Sequence, residues 1–352
     1  MNTLKKYLLA SFVLLSFACT KKDANTPSTE VKSKVLNVYS WSNYINPDLI
    51  ADFEKAKSVK VNLSYYSSNE ELLAKLQAGA KGYDIIIPST YMVKPMKSLG
   101  LLQPIYASKF AEVKNLDPKF RKPSHDPELE YVMPFCWGTT GLAVNTAKVK
   151  GNVDSWSWMF DHPELKGNIT MLDDPAEAIA AAVKYLGFNM NGVTDEQLAK
   201  AKELLKKQKT KLKAFTSETL PILEAGEVAI AQAYSSDVGQ VMKKNPQITY
   251  VIPKEGGVIW LDNLAVPKGA EHVDLAIEFI KFMTSEDAGN RQAKHIMTNP
   301  VVLLPHTSDA LTILNNSHLL PSNELIGKLE YTSDDPVLYE KLNRLWTELK
   351  AE

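Results

Sequence analysis

Residues Gly257–Val266 combine an indole and a carboxylate within one apolar run, GVIWLDNLAV. The β-branched and aliphatic residues of this run predict a strand. Because alternate side chains of a strand share a face, we expect Trp260 and Asp262 to lie side by side. The same alternation places Leu261 and Leu264 on opposite faces. A carboxylate in such a strand is costly unless it is paired, so Asp262 forms a structural salt bridge or, beside the indole, binds an organic cation.

Polar and aromatic residues also follow four other predicted strands. They are Ser40–Tyr44 (SWSNY), Ser89–Tyr91 (STY), Asp173–Asp174 and Tyr234–Asp237 (YSSD). Ligands of open parallel sheets bind beyond the carboxyl ends of the strands, so we expect these residues to approach one another. The shared content of aromatic rings, hydroxyls and acids favours a site for a cation.

Each of these residues also has a purely structural interpretation. Asp174 and Glu177 match a capping box, Ser89 and Thr90 suit the start of a helix, Asp237 suits a first helical turn, and Trp41 and Tyr44 could fill the core. Capping a helix and contacting a ligand are compatible roles. The alternatives therefore remain open at the level of single residues.

Alternating strands and helices must position these residues. The predicted strands are Val35–Tyr39, Val59–Tyr65, Tyr83–Pro88, Tyr131–Phe135, Gly141–Asn145, Ile169–Leu172, Val228–Ala233 and Ile248–Ile252, and the predicted helices begin near Pro47, Asn69, Tyr91, Trp156, Pro175, Asp195, Ser236, Val273, Ala288 and Pro336. The βαβα order occurs twice. It predicts an α/β fold of two lobes, each a mostly parallel sheet covered by helices, joined by strands that cross between them.

Composition narrows the class of protein. The 352 residues are 45% hydrophobic and 23% charged, enough for a large core, and the net charge of −1 favours no nucleic acid or other polyanionic partner. The basic run Lys206–Lys213 lacks interleaved aromatic residues and is interpreted as a solvated helix face and loop.

Motifs for catalysis are missing from the sequence. It contains no G-x-S-x-G, G-x-G-x-x-G or Walker motif, and its six His residues lack metal-ligand spacing. We therefore predict no enzyme activity, no metal site and no cofactor. A carboxylate pair of Asp174 and Asp262 for glycoside hydrolysis is the enzymatic alternative.

The N-terminus has the features of an export signal. Lys5 and Lys6 precede the apolar segment Tyr7–Ala18, which is too short for a comfortable membrane span and ends before Cys19. We predict a signal peptide over residues 1–18 and a flexible tether over residues 19–34. The other cysteine, Cys136, lies in an apolar run and is expected to be a buried small residue.

Taken together, these motifs resemble the periplasmic polyamine-binding proteins of spermidine/putrescine ABC importers. The matching segments are VYSWSNYINPDLI, YDIIIPSTYMVKPM, MPFCWGTTGLAVN, LDDPAEA, GEVAIAQAYSSD and PKEGGVIWLDNLAVP. The resemblance implies the two-lobed periplasmic binding protein fold of type II, which closes on its ligand. The lobes would comprise residues 35–142 with 262–308, and residues 143–261 with 309–352.

The resemblance also implies roles for individual residues. Its ligand-binding set is Trp41, Ser42, Asn43, Tyr44, Ser89, Tyr91, Asp174, Glu177, Tyr234, Asp237, Trp260 and Asp262. The aromatic residues would line the polyamine and the acids would pair with its ammonium groups, while Ser42 would hydrogen-bond nearby. In two departures, Asn43 replaces a usual acid and Thr298 replaces a usual tyrosine, which leaves the preferred polyamine open.

The same resemblance implies partners and location. LLSFAC resembles a lipoprotein cleavage box, although Ser16 stands where Leu is usual; Cys19 would then be lipidated, and secretion with a different cut is the alternative. The expected protein is a periplasmic, membrane-anchored monomer that delivers a polyamine to an ABC importer permease. A periplasmic sensor and a binding protein for another small organic cation are the alternatives.

Overall fold

The structure, a computed structural model, describes residues 34–303, 305, 309–316 and 319–352. The predicted signal peptide, Cys19 and the predicted tether up to residue 33 lie outside these residues. Among the helices of the described part of the chain, none has the length and apolar character needed to cross a membrane.

Strands and helices alternate as the sequence pattern predicts. The strands are β1 (Val35–Trp41), β2 (Lys60–Tyr66), β3 (Ile85–Ile86), β4 (Leu102–Gln103), β5 (Val132–Asn145), β6 (Ile169–Met171), β7 (Ala214–Phe215), β8 (Ile230–Tyr234), β9 (Ile248–Val251), β10 (Val258–Pro267), β11 (Asn299–Pro300) and β12 (Glu330–Tyr331). The helices are α1 (Pro47–Lys57), α2 (Asn69–Gln77), α3 (Thr90–Ser98), α4 (Ser157–Phe160), α5 (Pro175–Tyr185), α6 (Asp195–Lys209), α7 (Thr219–Glu224), α8 (Ser235–Met242), α9 (Val273–Met283), α10 (Glu286–Ile296), α11 (Asp309–Asn316), α12 (Asn323–Ile326) and α13 (Pro336–Ala351).

The sheet contains two parallel units separated by antiparallel strands. Its order is β2-β1-β3-β10-β5-β8-β6-β7. β1 runs parallel to β2 and β3, and β6 runs parallel to β7 and β8. Between these units β5 and β10 lie antiparallel to each other. The two parallel units are the centres of the two lobes, and β5 and β10 are the strands that cross between them.

Each parallel unit has a hydrophobic core on both faces. Val38 and the next residue of β1, Tyr39, belong to different hydrophobic clusters, and Ile230 and Ala231 of β8 are divided in the same way. All four side chains are fully buried. Both faces are therefore covered by helices and loops, as expected for parallel sheets. The division of the chain into lobes at the residues given above stays a prediction.

Strand β5 corrects one prediction. Tyr131–Phe135 and Gly141–Asn145 were expected to be separate strands, but Val132–Asn145 form one strand, buried along its whole length. Its residues up to Thr139 pair with β10, and those from Thr140 pair with β8. The two glycines of the strand, Gly138 and Gly141, interrupt its apolar pattern without interrupting the strand. The space that a Cβ would fill is occupied by the Trp260 side chain at Gly138 and by the Val251 carbonyl and the Tyr250 ring at Gly141.

A second correction concerns the faces of β10. Leu261 and Leu264, expected on opposite faces, belong to the same hydrophobic cluster. The register between β5 and β10 shifts between Asp262 and Asn263, where β5 contains one extra residue, Phe135.

Gly138 allows the two crossing strands to hold Trp260 between the lobes. Gly138 pairs with Trp260, and a Cβ at residue 138 would overlap the indole ring and lie 2.7 Å from Oγ of Ser235. We predict that Gly138→Ala displaces the indole and lowers the free energy of unfolding by about 1–3 kcal/mol. Denaturant unfolding monitored by tryptophan fluorescence measures both effects.

Gly327→Ala is the matched control, because the nearest atom to a Cβ there lies at an ordinary 3.5 Å. If Gly138→Ala unfolds at the same denaturant concentration as the control and keeps the native fluorescence, the close packing of Trp260 on Gly138 is wrong.

Candidate ligand-binding site

The carboxylate of Asp262 is the best-defined polar group between the lobes. The Tyr44 hydroxyl donates to its Oδ2 at 2.7 Å, and the Ser89 hydroxyl donates to its Oδ1 at 2.6 Å. Burial raises the pKa of Asp262 to about 6, and the two hydroxyls only partly offset this effect. Both partners are neutral, and no cation of the described residues forms an ion pair with it. The structural salt bridge considered for Asp262 is therefore absent from the described chain.

Local structure explains why the two hydroxyls face Asp262. Ser89 is the N-cap residue of α3, but its side chain makes no capping hydrogen bond, so its hydroxyl is free to donate to the carboxylate. Tyr44 is buried just before α1 and packs edge-on against Phe135, with ring centroids 6.0 Å apart. Tyr44 therefore orients the anion with its hydroxyl, whereas the resemblance implied a ring that lines the ligand.

Two aromatic rings lie near this carboxylate, one from its own strand β10 and one from β8. Tyr234, at the end of β8, and Trp260 have ring centroids 6.3 Å apart in a T-shaped arrangement. The indole N–H of Trp260 is buried without an acceptor among the described residues, so packing on Gly138 rather than a hydrogen bond positions the ring. Trp260 and Asp262 are predicted to lie side by side. Tyr234 agrees with this prediction, because its ring contacts Trp260 and the charge of Asp262 raises the pKa of its hydroxyl.

The charges of four carboxylates act on the Tyr234 hydroxyl. Its pKa is raised well above the usual value, first by burial and then by the negative charges of Asp174, Glu177, Asp237 and Asp262. These acids follow different strands in the sequence and influence one hydroxyl, and their membership of a single ligand site stays a prediction.

Asp174 and Glu177 lie at the start of α5, and their contact with a ligand stays a prediction. Asp174 caps α5 by accepting a hydrogen bond from the Glu177 N–H at 3.1 Å, which confirms its capping role. Among the described hydrogen bonds none returns from the Glu177 side chain to the Asp174 N–H, so the capping box is only half formed. Burial, and secondly the charge of Glu70, raise the pKa of Asp174 to about 7. Glu177 is buried, and its pKa is raised well above the usual range, first by burial and then by Asp174. Neither acid is an ordinary solvated helix-start residue.

Asp237 lies in the first turn of α8, as the macrodipole interpretation expects. The Thr219 hydroxyl donates to its Oδ2. Burial raises the pKa of Asp237 to about 6, in spite of this hydrogen bond. Asp237 is thus a second acid of the group that is held by a neutral donor.

The opposite side of the site contains residues that the sequence analysis missed. The side chain of Asn69 donates to the Tyr91 hydroxyl at 3.0 Å, and that hydroxyl donates to Oε1 of Glu70 at 3.4 Å. The Tyr339 hydroxyl donates to the same oxygen at 3.3 Å. Asn69 and Glu70 follow β2, another parallel strand of the same sheet, so extending the strand-end argument to β2 would have found them.

The segment after β1 is divided between core and surface. The indole N–H of Trp41 donates to the Ile87 carbonyl at 3.1 Å, and its ring packs on Tyr66. Ser42 and Asn43 are exposed, and Asn43 has a left-handed backbone with φ of 54°. Among the described residues no hydrogen bond joins either side chain to the acids. The hydrogen-bonding role of Ser42 toward a ligand stays a prediction.

The remaining two residues of interest are buried. Thr298 is fully buried, and Cys136 is a free, buried cysteine whose pKa burial raises to about 12. The prediction of a buried Cys136 is confirmed.

Known proteins resemble this chain over most of its length. The family model of the bacterial extracellular solute-binding protein matches residues 48–309. A putrescine-binding periplasmic protein of Pseudomonas aeruginosa is 33% identical over 342 residues, which are 91% of this chain and 92% of that protein.

Solved structures agree with this match. A spermidine/putrescine ABC transporter substrate-binding protein of Streptococcus pneumoniae has a TM-score of 0.75 at 29% identity, covering 91% of this chain and 99% of that one. A lipoprotein of Treponema pallidum has a TM-score of 0.79 at 28% identity, covering 90% and 99%. These matches confirm the two-lobed periplasmic binding protein fold. The chain belongs to the family of bacterial extracellular solute-binding proteins.

Proposed function

We propose that this protein captures a polyamine of the putrescine or spermidine class between its two lobes and delivers it to an ABC importer. The observation that carries the proposal is the buried carboxylate of Asp262, which is held by Tyr44 and Ser89 and has no protein cation as partner in the described chain. The relatives supply the class of ligand, because their names are those of putrescine- and spermidine/putrescine-binding proteins.

The chemistry of a polyamine suits the site. Its ammonium groups are separated by apolar methylenes, so recognition requires acids for the charges and aromatic faces for the chain. Trp260 and Tyr234 supply the rings, and Asp174, Glu177 and Asp262 supply anions at different places around them. Sulfate or phosphate would require hydrogen-bond donors without these acids.

The ligand-binding set implied by the resemblance is retained as a proposal, with two changes of role. Tyr44 orients Asp262 through its hydroxyl. Asn43 contacts the polyamine from an exposed turn. The replacement of a usual acid by Asn43 removes a charge without removing a hydrogen-bond acceptor. It therefore affects the choice among polyamines more than polyamine binding itself.

Location and assembly complete the proposal. The protein is periplasmic, like the Pseudomonas aeruginosa relative by its name. Cys19 carries a lipid that anchors the protein to a membrane, and the Treponema pallidum protein is likewise named a lipoprotein. The protein acts as a monomer. A sensor that presents bound polyamine to a receptor, and a carrier of another small organic cation, are the competing functions. Calorimetry with a panel of polyamines distinguishes a polyamine carrier from a carrier of another organic cation. Binding to a permease distinguishes an importer component from a sensor.

Asp262→Asn should weaken putrescine or spermidine binding by about ten- to a hundredfold. A hydrogen bond to a charged group contributes about 1.5–3 kcal/mol, and about 1.4 kcal/mol corresponds to a factor of ten in affinity. Calorimetry gives the dissociation constant, and the melting temperature without ligand reports the fold. Asp287→Asn, a surface change 75% exposed at the side chain, is the control. Unchanged affinity in a destabilised Asp262→Asn would make Asp262 a structural residue.

Polyamine affinity should fall by at least about tenfold as the pH is lowered from 8 to 5. Asp262, Asp237 and Asp174 have pKa values raised to about 6, 6 and 7, so they become protonated over this interval, and each loses the charge that attracts a cation. Alkyl ammonium groups, with pKa near 10, stay charged throughout. Calorimetry at both pH values measures the change.

The free energy of unfolding of the free protein should change in the opposite direction, since it should rise as the pH is lowered. Because the folded pKa values of these acids are raised, they stabilise the fold at low pH, and this contribution is lost as the pH rises through about 6–7.

Asp262→Asn should show a weaker pH dependence of binding. Affinity independent of pH between 5 and 8 would show that the buried acids do not contact the ligand's charges.

Cys19 should be the lipidated N-terminal residue of the mature protein. The motive is the apolar segment ending at Ala18 followed by a polar tether. Mass spectrometry of the membrane fraction should find an acylated N-terminal cysteine, and Cys19→Ala should move the protein to the soluble fraction. A mature N-terminus elsewhere without acyl chains would establish simple secretion instead.

A further inference from the structure

We propose that Glu70 and Asp174 form a pair of carboxylates across the two lobes that takes one ammonium group of the ligand, and that Tyr339 holds Glu70 in place when the lobes are together. This inference rests on the proposed polyamine function. It adds a specificity-determining residue, Glu70, to the site and gives the ligand's charge a direct part in closing the lobes.

Glu70 is joined to the same loop that orients Asp262. It is the second residue of α2, which Ser68 caps. Its neighbour Asn69 is buried and accepts a hydrogen bond from the backbone N–H of Ser89 at 3.1 Å. Ser89 in turn donates to Asp262. The start of α2 is therefore fixed relative to the buried carboxylate at the centre of the site.

Two tyrosine hydroxyls meet at one oxygen of Glu70. Tyr91 and Tyr339 donate to Oε1 at 3.4 and 3.3 Å, and their ring centroids are 6.3 Å apart. Both donors are neutral, so they orient the carboxylate without cancelling its charge. No cation of the described residues forms an ion pair with Glu70.

Tyr339 and Asp174 belong to the lobe that faces Glu70. Tyr339 lies in α13, whose Leu338 and Leu342 share a hydrophobic cluster with residues of α5, the helix that Asp174 caps. The hydrogen bond from Tyr339 to Glu70 thus joins the two lobes. A second contact of this kind, between Lys94 of α3 and Asp334, has a separation of 2.7 Å.

The two carboxylates repel each other in this arrangement. After burial itself, the charge of Glu70 contributes most to raising the pKa of Asp174. The same charge also raises the pKa values of Tyr91 and Tyr339. An ammonium group between the acids converts this repulsion into two attractions. Because the acids come from opposite lobes, that gain is available only when the lobes are together, so a ligand that reaches both Asp262 and this pair favours the closed form.

The test is a double-mutant cycle with Glu70→Gln and Asp174→Asn, titrated with putrescine and with spermidine by calorimetry. Asparagine is also a good N-cap, so Asp174→Asn keeps the start of α5. Each single change should weaken binding of at least one of the two by about tenfold or more. Because both acids share one ammonium, the double change should cost less than the product of the two single factors.

Glu71→Gln is the matched control. It removes the same charge from the next residue, but Glu71 accepts hydrogen bonds from Ser67 and should leave affinity within about twofold. Tyr339→Phe should weaken binding and also reduce the ligand-induced decrease in the radius of gyration measured by small-angle scattering, which a residue without a role in closure would not change.

Two results would overturn the inference while the proposed function stands. One is wild-type polyamine binding with Glu70→Gln indistinguishable from Glu71→Gln, and the other is single effects that multiply in the double variant. Failure of the proposed function has a different signature, because the wild-type protein itself would then bind neither putrescine nor spermidine.

Discussion

A carboxylate withdrawn from water without a cation is the constraint on which this structure depends. Removing such a charge from solvent costs several kcal/mol even after relaxation, and Asp262 receives only two neutral hydroxyl donors in return. Those donors, Tyr44 and Ser89, are 218 and 173 residues away in the chain. The fold therefore brings three distant segments together at a single anion, and no cation of the described residues pairs with it.

The other acids extend the same constraint to the second lobe. Asp174, Glu177 and Asp237 lie at the starts of α5 and α8, their charges act on the Tyr234 hydroxyl, and burial raises the pKa of each of them. A group of like charges around aromatic rings is unfavourable for the protein alone. It becomes favourable once spaced positive charges with an apolar chain lie among them, which is the description of a polyamine.

The crossing strands place these side chains at the boundary between the two lobes. β5 pairs with β10 up to Thr139 and with β8 from Thr140, so the change of partner falls directly beside Gly138 and Trp260. The indole thus stands at the boundary between the two parallel units. In the proposed function, a ligand held against the indole would lie close to acids from both lobes.

Local sequence determined the elements and many members of the site. Alternating apolar runs and caps such as Asn46 and Asp174 specify where strands and helices begin, because these signals depend on neighbours only a few residues away. The strand-end rule likewise brought Asp174, Tyr234 and Ser89 to one region. Tertiary structure decided the continuity of β5, the register shift after Asp262, the exposure of Asn43 and the approach of Tyr339 to Glu70. Each of these depends on contacts between segments far apart in the chain, whose relative positions are set by the packing of two lobes rather than by the pattern of any one segment.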